Sequence, residues 1–182
     1  MSNNGYTLIL GGARSGKSAL AERLAIRGEC DVTVLATAVA FDADMRSRIE
    51  HHRAGRPVTW TTIEEPLHVA RAARSASGFM IVDCMTVWTA NVLHERWNEA
   101  QINGEVEALI DALLFRFQPT VVVSNEVGLG VHPETELGRS YRDLLGRINS
   151  RLAAAAHESL FLVAGRVMRL ESVESVLRNE LA

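Results

Sequence analysis

The sequence predicts an α/β fold, a mostly parallel central sheet flanked by helices, and three observations predict it. Short apolar runs rich in Val, Ile and Leu alternate along the chain with segments of helical character. The runs do not alternate with polar residues, which is how strands buried on both faces of a parallel sheet read. The first run leads straight into a glycine-rich loop followed by a helical pattern, the order expected of a nucleotide-binding α/β unit.

The elements follow in chain order. The apolar runs are TLIL (7–10), VTVLATA (32–38), FMIVD (79–83), TVVVSN (120–125) and SLFLVAG (159–165). Helical segments are expected over 17–27, 42–53, 66–75, 88–117 and 134–157. The fourth is too long for one ordinary helix, and Asn103-Gly104 is the expected break. In the tail, 169–182, Leu170, Val173, Val176, Leu177 and Leu181 recur at helical spacing, so an amphipathic helix is expected there. With no repeat, composition shift or low-complexity linker, residues 1–182 read as a single domain.

Composition narrows the function classes. The 182 residues are 47% hydrophobic and 23% charged, with a net charge of −3, a globular composition able to bury one core. That charge gives no electrostatic footprint for nucleic acid. The two cysteines, Cys30 and Cys84, have no CxxC spacing. Neither a cysteine metal cluster nor a disulfide framework is expected, which suits a reducing cytoplasm. The N-terminus has no signal-peptide pattern, and no apolar run is long enough to suggest a membrane span.

Gly11, Gly12, Ala13, Arg14, Ser15, Gly16, Lys17 and Ser18 read GGARSGKS, a full G-x-x-x-x-G-K-[ST] match. Its glycines let backbone N–H groups turn toward phosphate oxygens, and the following helix aims its positive end at the same anion. Lys17 is expected on the β- and γ-phosphates and Ser18 on Mg²⁺. Asp83 ends the FMIVD run, where it suits a second Mg²⁺ contact or a cap for the next helix. Glu126 follows TVVVSN on the same edge, as a substrate or proton-transfer group or as a structural one. Asp143-Leu-Leu-Gly146 fits the DxxG of switch GTPases. It lies inside a helical segment, however, and no N-K-x-D accompanies it, so a switch GTPase is disfavoured.

His51 and His52 close the segment DADMRSRIEHH, in which Met45 and Ile49 mark the expected buried stripe. Adjacent residues on a helix point about 100° apart, so the two rings cannot share one target. Two readings stand: ordinary surface histidines, or one histidine that attacks a nucleotide phosphate and forms a phosphoramidate. In the second, Arg53 and Arg56 would neutralise phosphate oxygens, and Gly55 would let the backbone approach closely.

Taken together, GGARSGKS (11–18), the ATA turn (36–38), RIEHHRAGRPVTW (48–60), DCMTVWTANVL (83–93), SNEVGLGVHPETELGRSYRDLLGRIN (124–149) and RLAAAAHESLFLVAG (151–165) resemble the bifunctional adenosylcobinamide kinase/adenosylcobinamide-phosphate guanylyltransferase family of cobalamin biosynthesis. The P-loop alone is widely shared. The HH-x-x-G-R-P and N-E-V-G-x-G-x-x-P elements are far more specific.

The resemblance implies a RecA-like P-loop NTPase fold, a homotrimer and two reactions. An NTP, ATP or GTP, phosphorylates the aminopropanol arm of adenosylcobinamide. GTP then guanylylates adenosylcobinamide phosphate through a GMP–histidine intermediate, giving adenosyl-GDP-cobinamide and pyrophosphate. It assigns the histidine to His51. Nucleotide contacts fall on the P-loop, on Ala36, Thr37 and Ala38, on His52, Arg53, Ala54 and Gly55, on Glu64 and on Asp83. Asp83 stands where some relatives have glutamate, and the chain continues past the last expected strand as RVMRLESVESVLRNELA. The rivals are a P-loop small-molecule kinase with an idle His51 and a nucleotide-binding protein without turnover.

Overall fold

A computed structural model describes residues 5–28, 30–40 and 43–180; the side chains of residues 44, 45, 48, 49, 51, 52, 179 and 180 also lie outside the described part. The expected Met45 and Ile49 stripe and the directions of the two histidine rings therefore fall outside the described residues.

Among these residues seven strands form one sheet in the order β3-β2-β4-β5-β1-β6-β7. They are β1 (Tyr6–Gly11), β2 (Val32–Ala36), β3 (Thr61–Glu64), β4 (Phe79–Asp83), β5 (Thr120–Val123), β6 (Glu158–Val163) and β7 (Arg166–Leu170). All neighbouring pairs are parallel except β6 and β7. The helices are α1 (Lys17–Arg27), α2 (Ala43–Ala54), α3 (Val69–Ser75), α4 (Met85–His94), α5 (Glu99–Phe115), α6 (Glu136–Ala155) and α7 (Val173–Glu180).

The central parallel strands β1, β2, β4 and β5 are buried on both faces, as their unalternating apolar runs require, whereas β7 at the edge is exposed throughout. On one face Ala21 and Ala25 of α1 pack on Ile9, Val34, Ile81, Val121 and Val123. On the other, α3, α4, α5 and α6 cover Leu8, Leu35, Met80, Val82 and Val122. Trp88 is fully buried there and donates its indole N–H to Leu67 O at 2.8 Å. Arg116 closes the amino-terminal end of the sheet. It is 7% exposed and donates to Ala73 O, Ala76 O, Gly78 O and Thr120 Oγ1. Burial depresses its pKa, and these four acceptors meet the guanidinium's need for partners in the interior.

Three expectations need correction. The helix is not broken at Asn103-Gly104, which lie inside α5. The break falls at 95–98, where Arg96 adopts a φ of 55° and Asn98 forms a capping box with Gln101. A Cβ at Gly104 would meet nothing within 4 Å, so that glycine only weakens the helix, by about 1 kcal/mol. Second, β3 was not expected: it is a four-residue edge strand whose two ends are exposed, with no apolar run to reveal it. Third, the tail is not one helix over 169–182. Residues 166–170 pair antiparallel with β6, and the helix starts at Val173. Ala164 and Gly165 have φ of 50° and 72°, the positive values a tight hairpin turn demands.

Candidate nucleotide-binding site

The carboxyl ends of the parallel strands carry the expected site residues. Gly11 ends β1, with Leu162 of β6 opposite it in the ladder. A Cβ at Gly11 would lie 2.4 Å from Leu162 O and 2.8 Å from Ser15 Oγ, so only glycine fits. Gly16, with φ 102°, is the N-cap of α1 and supplies no side-chain cap. The first-turn N–H groups thus stay available to an anion. The loop is braced from the far side, because Gly165 N–H of the β6–β7 turn donates to Ser15 O at 3.2 Å.

Lys17 is 7% exposed and folds back over the loop, donating to Gly12 O at 2.7 Å. Burial pushes its pKa down, against the upward pull of Cys84 and Asp83, and leaves it below the usual lysine value. Ser18, Asp83 and Arg56 line one small cleft with Glu22, Val34 and Ile81. A hydroxyl and a carboxylate sharing one cleft suit a hard cation that takes its remaining ligands from phosphate and water. Among the described residues no cluster of three or more His, Cys, Asp or Glu could form a protein-only metal cage.

The end of β2 is locked to the end of β4. Thr37, fully buried, donates its N–H to Asp83 O at 3.1 Å and its hydroxyl to Cys84 O at 2.8 Å, and accepts from Cys84 N–H at 3.0 Å. Asn91 of α4 donates to Thr37 O and Pro66 O. Ala36 and Ala38 flank Thr37, both half-buried. Burial first, then the Asp83 charge, raises the Cys84 pKa, which disfavours its thiolate form.

Two ion pairs fasten the exit of α2 to this edge. Arg53 Nη2 lies 3.2 Å from Glu64 Oε1 at the end of β3, and Arg56 Nη2 lies 3.3 Å from Asp83 Oδ2 at the end of β4. The first is exposed on both sides and contributes little to stability; the second is largely buried. Ala54 and Gly55, both exposed, lie between them. The structure thus brings together the P-loop, the 36–38 turn, Arg53 to Gly55, Glu64 and Asp83. His51 and His52 lie on α2, but their side chains are outside the described residues.

Glu126 donates its N–H to Gly11 O, while its carboxylate accepts from Gly128 N–H at 2.6 Å. This supports the structural reading of that residue. Sequence reasoning missed a polar network beside it. Ser124 donates to Asn149 Oδ1, Asn149 donates to Asn125 O, Asn125 N–H donates to Thr86 Oγ1, and Tyr141 OH donates to Thr86 O. The Ser-Asn pair at the end of an apolar run was its only local signal.

The cobinamide kinase / cobinamide phosphate guanyltransferase family pattern matches residues 7–170. The bifunctional adenosylcobalamin biosynthesis protein CobP of Pseudomonas aeruginosa is 46% identical over 167 residues, covering 90% of this chain and 96% of that protein. Its counterpart CobU of Escherichia coli is 39% identical over 173 residues, covering 87% and 95%. The solved RadB recombinase superposes with a TM-score of 0.51 at 14% identity, over 87% of this chain and 74% of that one, a likeness of fold consistent with a RecA-like sheet.

Proposed function

The chain belongs to the cobinamide kinase / cobinamide phosphate guanyltransferase family, and we propose that one nucleotide edge serves two successive transfers through His51. In the first, the hydroxyl of adenosylcobinamide's aminopropanol arm attacks the terminal phosphorus of an NTP and a nucleoside diphosphate leaves. Lys17 and the loop N–H groups stabilise the charge on the phosphate oxygens. In the second, a His51 ring nitrogen attacks the α-phosphorus of GTP and pyrophosphate leaves. An oxygen of adenosylcobinamide phosphate then attacks the GMP–His51 adduct. The P–N bond breaks, adenosyl-GDP-cobinamide forms, and His51 is free again.

The observation that carries this reading is the tethering of α2. The HH-x-x-G-R-P element has its two arginines paired to Glu64 and Asp83, so the turn after His51 is held at the P-loop edge. An arriving triphosphate competes for both guanidiniums, which couples nucleotide binding to the position of α2. Arg56 then moves from Asp83 to phosphate, and the freed Asp83 carboxylate and the Ser18 hydroxyl would hold Mg²⁺. That ion, when bound, supplies charge neutralisation across the phosphate oxygens. Glu64, released by Arg53, is an acceptor for the guanine N–H groups or a ribose hydroxyl. His52, Arg53, Ala54 and Gly55 form the surround of the nucleotide.

The acceptor side has adenosylcobinamide and its phosphate as partners, with GTP or ATP as phosphoryl donor. A homotrimer is the assembly we expect. The test is product analysis with adenosylcobinamide and GTP. Wild type yields both the phosphorylated and the guanylylated corrinoid, and His51→Ala yields the phosphate with no pyrophosphate release. Full guanylylation by His51→Ala would remove His51 as the nucleotide carrier, and wild type that phosphorylates adenosylcobinamide but never guanylylates it would leave the plain kinase reading in its place.

A further inference from the structure

On its β2–β3 side the nucleotide edge described above carries the ion-paired side chains of Arg53 with Glu64 and of Arg56 with Asp83. The acceptor hydroxyl must nevertheless reach the terminal phosphate at the P-loop, so its body has to rest on the opposite flank. A cavity of about 790 Å³ opens there, between the end of α4 and the first turns of α6, lined by Ala90, Leu93, Leu137 and the Tyr141 ring. Its size falls in the range of small-molecule sites. Arg96, His94 and Thr135 also line it, bringing polar groups to the wall.

The wall is bolted to the P-loop edge. Tyr141 OH donates to Thr86 O at 3.1 Å, and Thr86 Oγ1 accepts from Asn125 N–H at 2.7 Å. The next residue, Glu126, donates its N–H to Gly11 O. Burial raises the Tyr141 pKa to about 12, so the phenol stays a neutral donor in this chain of contacts. A second cavity, of about 560 Å³, is lined by Phe115, Phe117 and Arg116. It lies where α5 leads into β5, at the amino-terminal end of the sheet, and an acceptor held there could not reach the loop.

We propose that the α4–α6 cavity is the acceptor subsite, taking the apolar face of the corrin macrocycle, with Arg96 and His94 beside its amide fringe. This rests on the proposed function. It assigns acceptor selectivity to Ala90, Leu93 and Leu137, residues remote from the phosphate chemistry.

The test uses Ala90→Trp, which fills the cavity from an exposed helix position, and Leu137→Asp, which puts a charge on a residue 68% exposed. Steady-state phosphorylation of adenosylcobinamide is measured for both, together with GTP affinity and melting temperature. The expected result is a KM for adenosylcobinamide raised by about tenfold or more, with GTP affinity within twofold of wild type. Unchanged KM in either folded variant overturns the subsite. If wild type binds GTP yet turns over no adenosylcobinamide, the parent reading fails, and the subsite with it; that outcome is recognisable because it appears without any substitution.

Discussion

Replacing Gly11 by alanine puts a methyl carbon where the P-loop leaves no room. The added Cβ would stand 2.4 Å from Leu162 O and 2.8 Å from Ser15 Oγ. The first of these is a backbone atom of the neighbouring strand and cannot rotate away. Relief requires β1 and β6 to part at the Gly11–Leu162 rung, or the loop to lift from Gly165. The φ of 151° adds strain that an L side chain rarely accepts. Overpacking costs about 1–3 kcal/mol and a forced backbone conformation about 1–3 kcal/mol more. Their sum, about 2–6 kcal/mol, corresponds to a melting temperature lower by roughly 4–24 °C in a chain of this length. Gly12→Ala is the matched control. A Cβ there meets nothing within 4 Å, so its melting temperature stays within about 2 °C of wild type, as for an uncrowded surface substitution. Differential scanning calorimetry of the three proteins without nucleotide decides the matter. Equal melting temperatures for Gly11→Ala and wild type would refute the steric argument for this glycine.

Three further outcomes are expected. Lys17→Met lowers kcat for phosphoryl transfer by about 10²–10³-fold, the scale of losing one preorganised charge-stabilising donor; stopped-time product assays measure it, and retention of a tenth of the activity would contradict the role. Thr37→Val leaves Cys84 N–H without its acceptor and destabilises the protein by about 1–3 kcal/mol, read from urea midpoints; an unchanged midpoint removes Thr37 as the lock between β2 and β4. Burial raises the Glu65 pKa, but N–H donors from His68 and Leu67 and the Arg71 guanidinium outweigh it and hold the carboxyl below the ordinary glutamate value. Because the folded pKa is depressed, this stabilisation is fully present above the unfolded value and is lost as pH falls through the folded one. The melting-temperature gap between wild type and Glu65→Gln should therefore be largest near neutral pH and close under acid conditions; a gap that widens on acidification would reverse the assignment.

Much of the architecture was legible because the chemistry is local. Buried parallel strands must be continuously apolar, so runs such as FMIVD and TVVVSN announced themselves, and GGARSGKS marked the P-loop between β1 and α1. What escaped depends on partners distant in sequence. Thr61–Glu64 is a strand only because β2 offers it an edge, and 166–170 is a strand only because β6 does. The helix break moved from Gly104 to 95–98 because a capping box at Asn98 and Gln101 outweighs a solvent-facing glycine. At the site, residue types suggested Arg53, Arg56 and Asp83, and the family resemblance suggested Glu64, but neither showed their pairing. A sequence cannot show that the two guanidiniums of this element are each held by a carboxylate from a different strand. The Ser124, Asn125, Asn149, Thr86 and Tyr141 network spans 55 residues between its outermost bonded pair, Thr86 and Tyr141, a separation that leaves no local pattern.

The account turns on a covalent bond between GMP and His51. Wild-type protein is incubated with Mg²⁺ and GTP labelled at the α-phosphate, without corrinoid, then denatured and separated from free nucleotide. The account predicts label on the protein that survives alkali, is released by acid as a phosphoramidate should be, and is absent from His51→Ala. Wild-type enzyme that guanylylates adenosylcobinamide phosphate yet retains no such label, or a His51→Ala variant that retains it in full, would contradict the account.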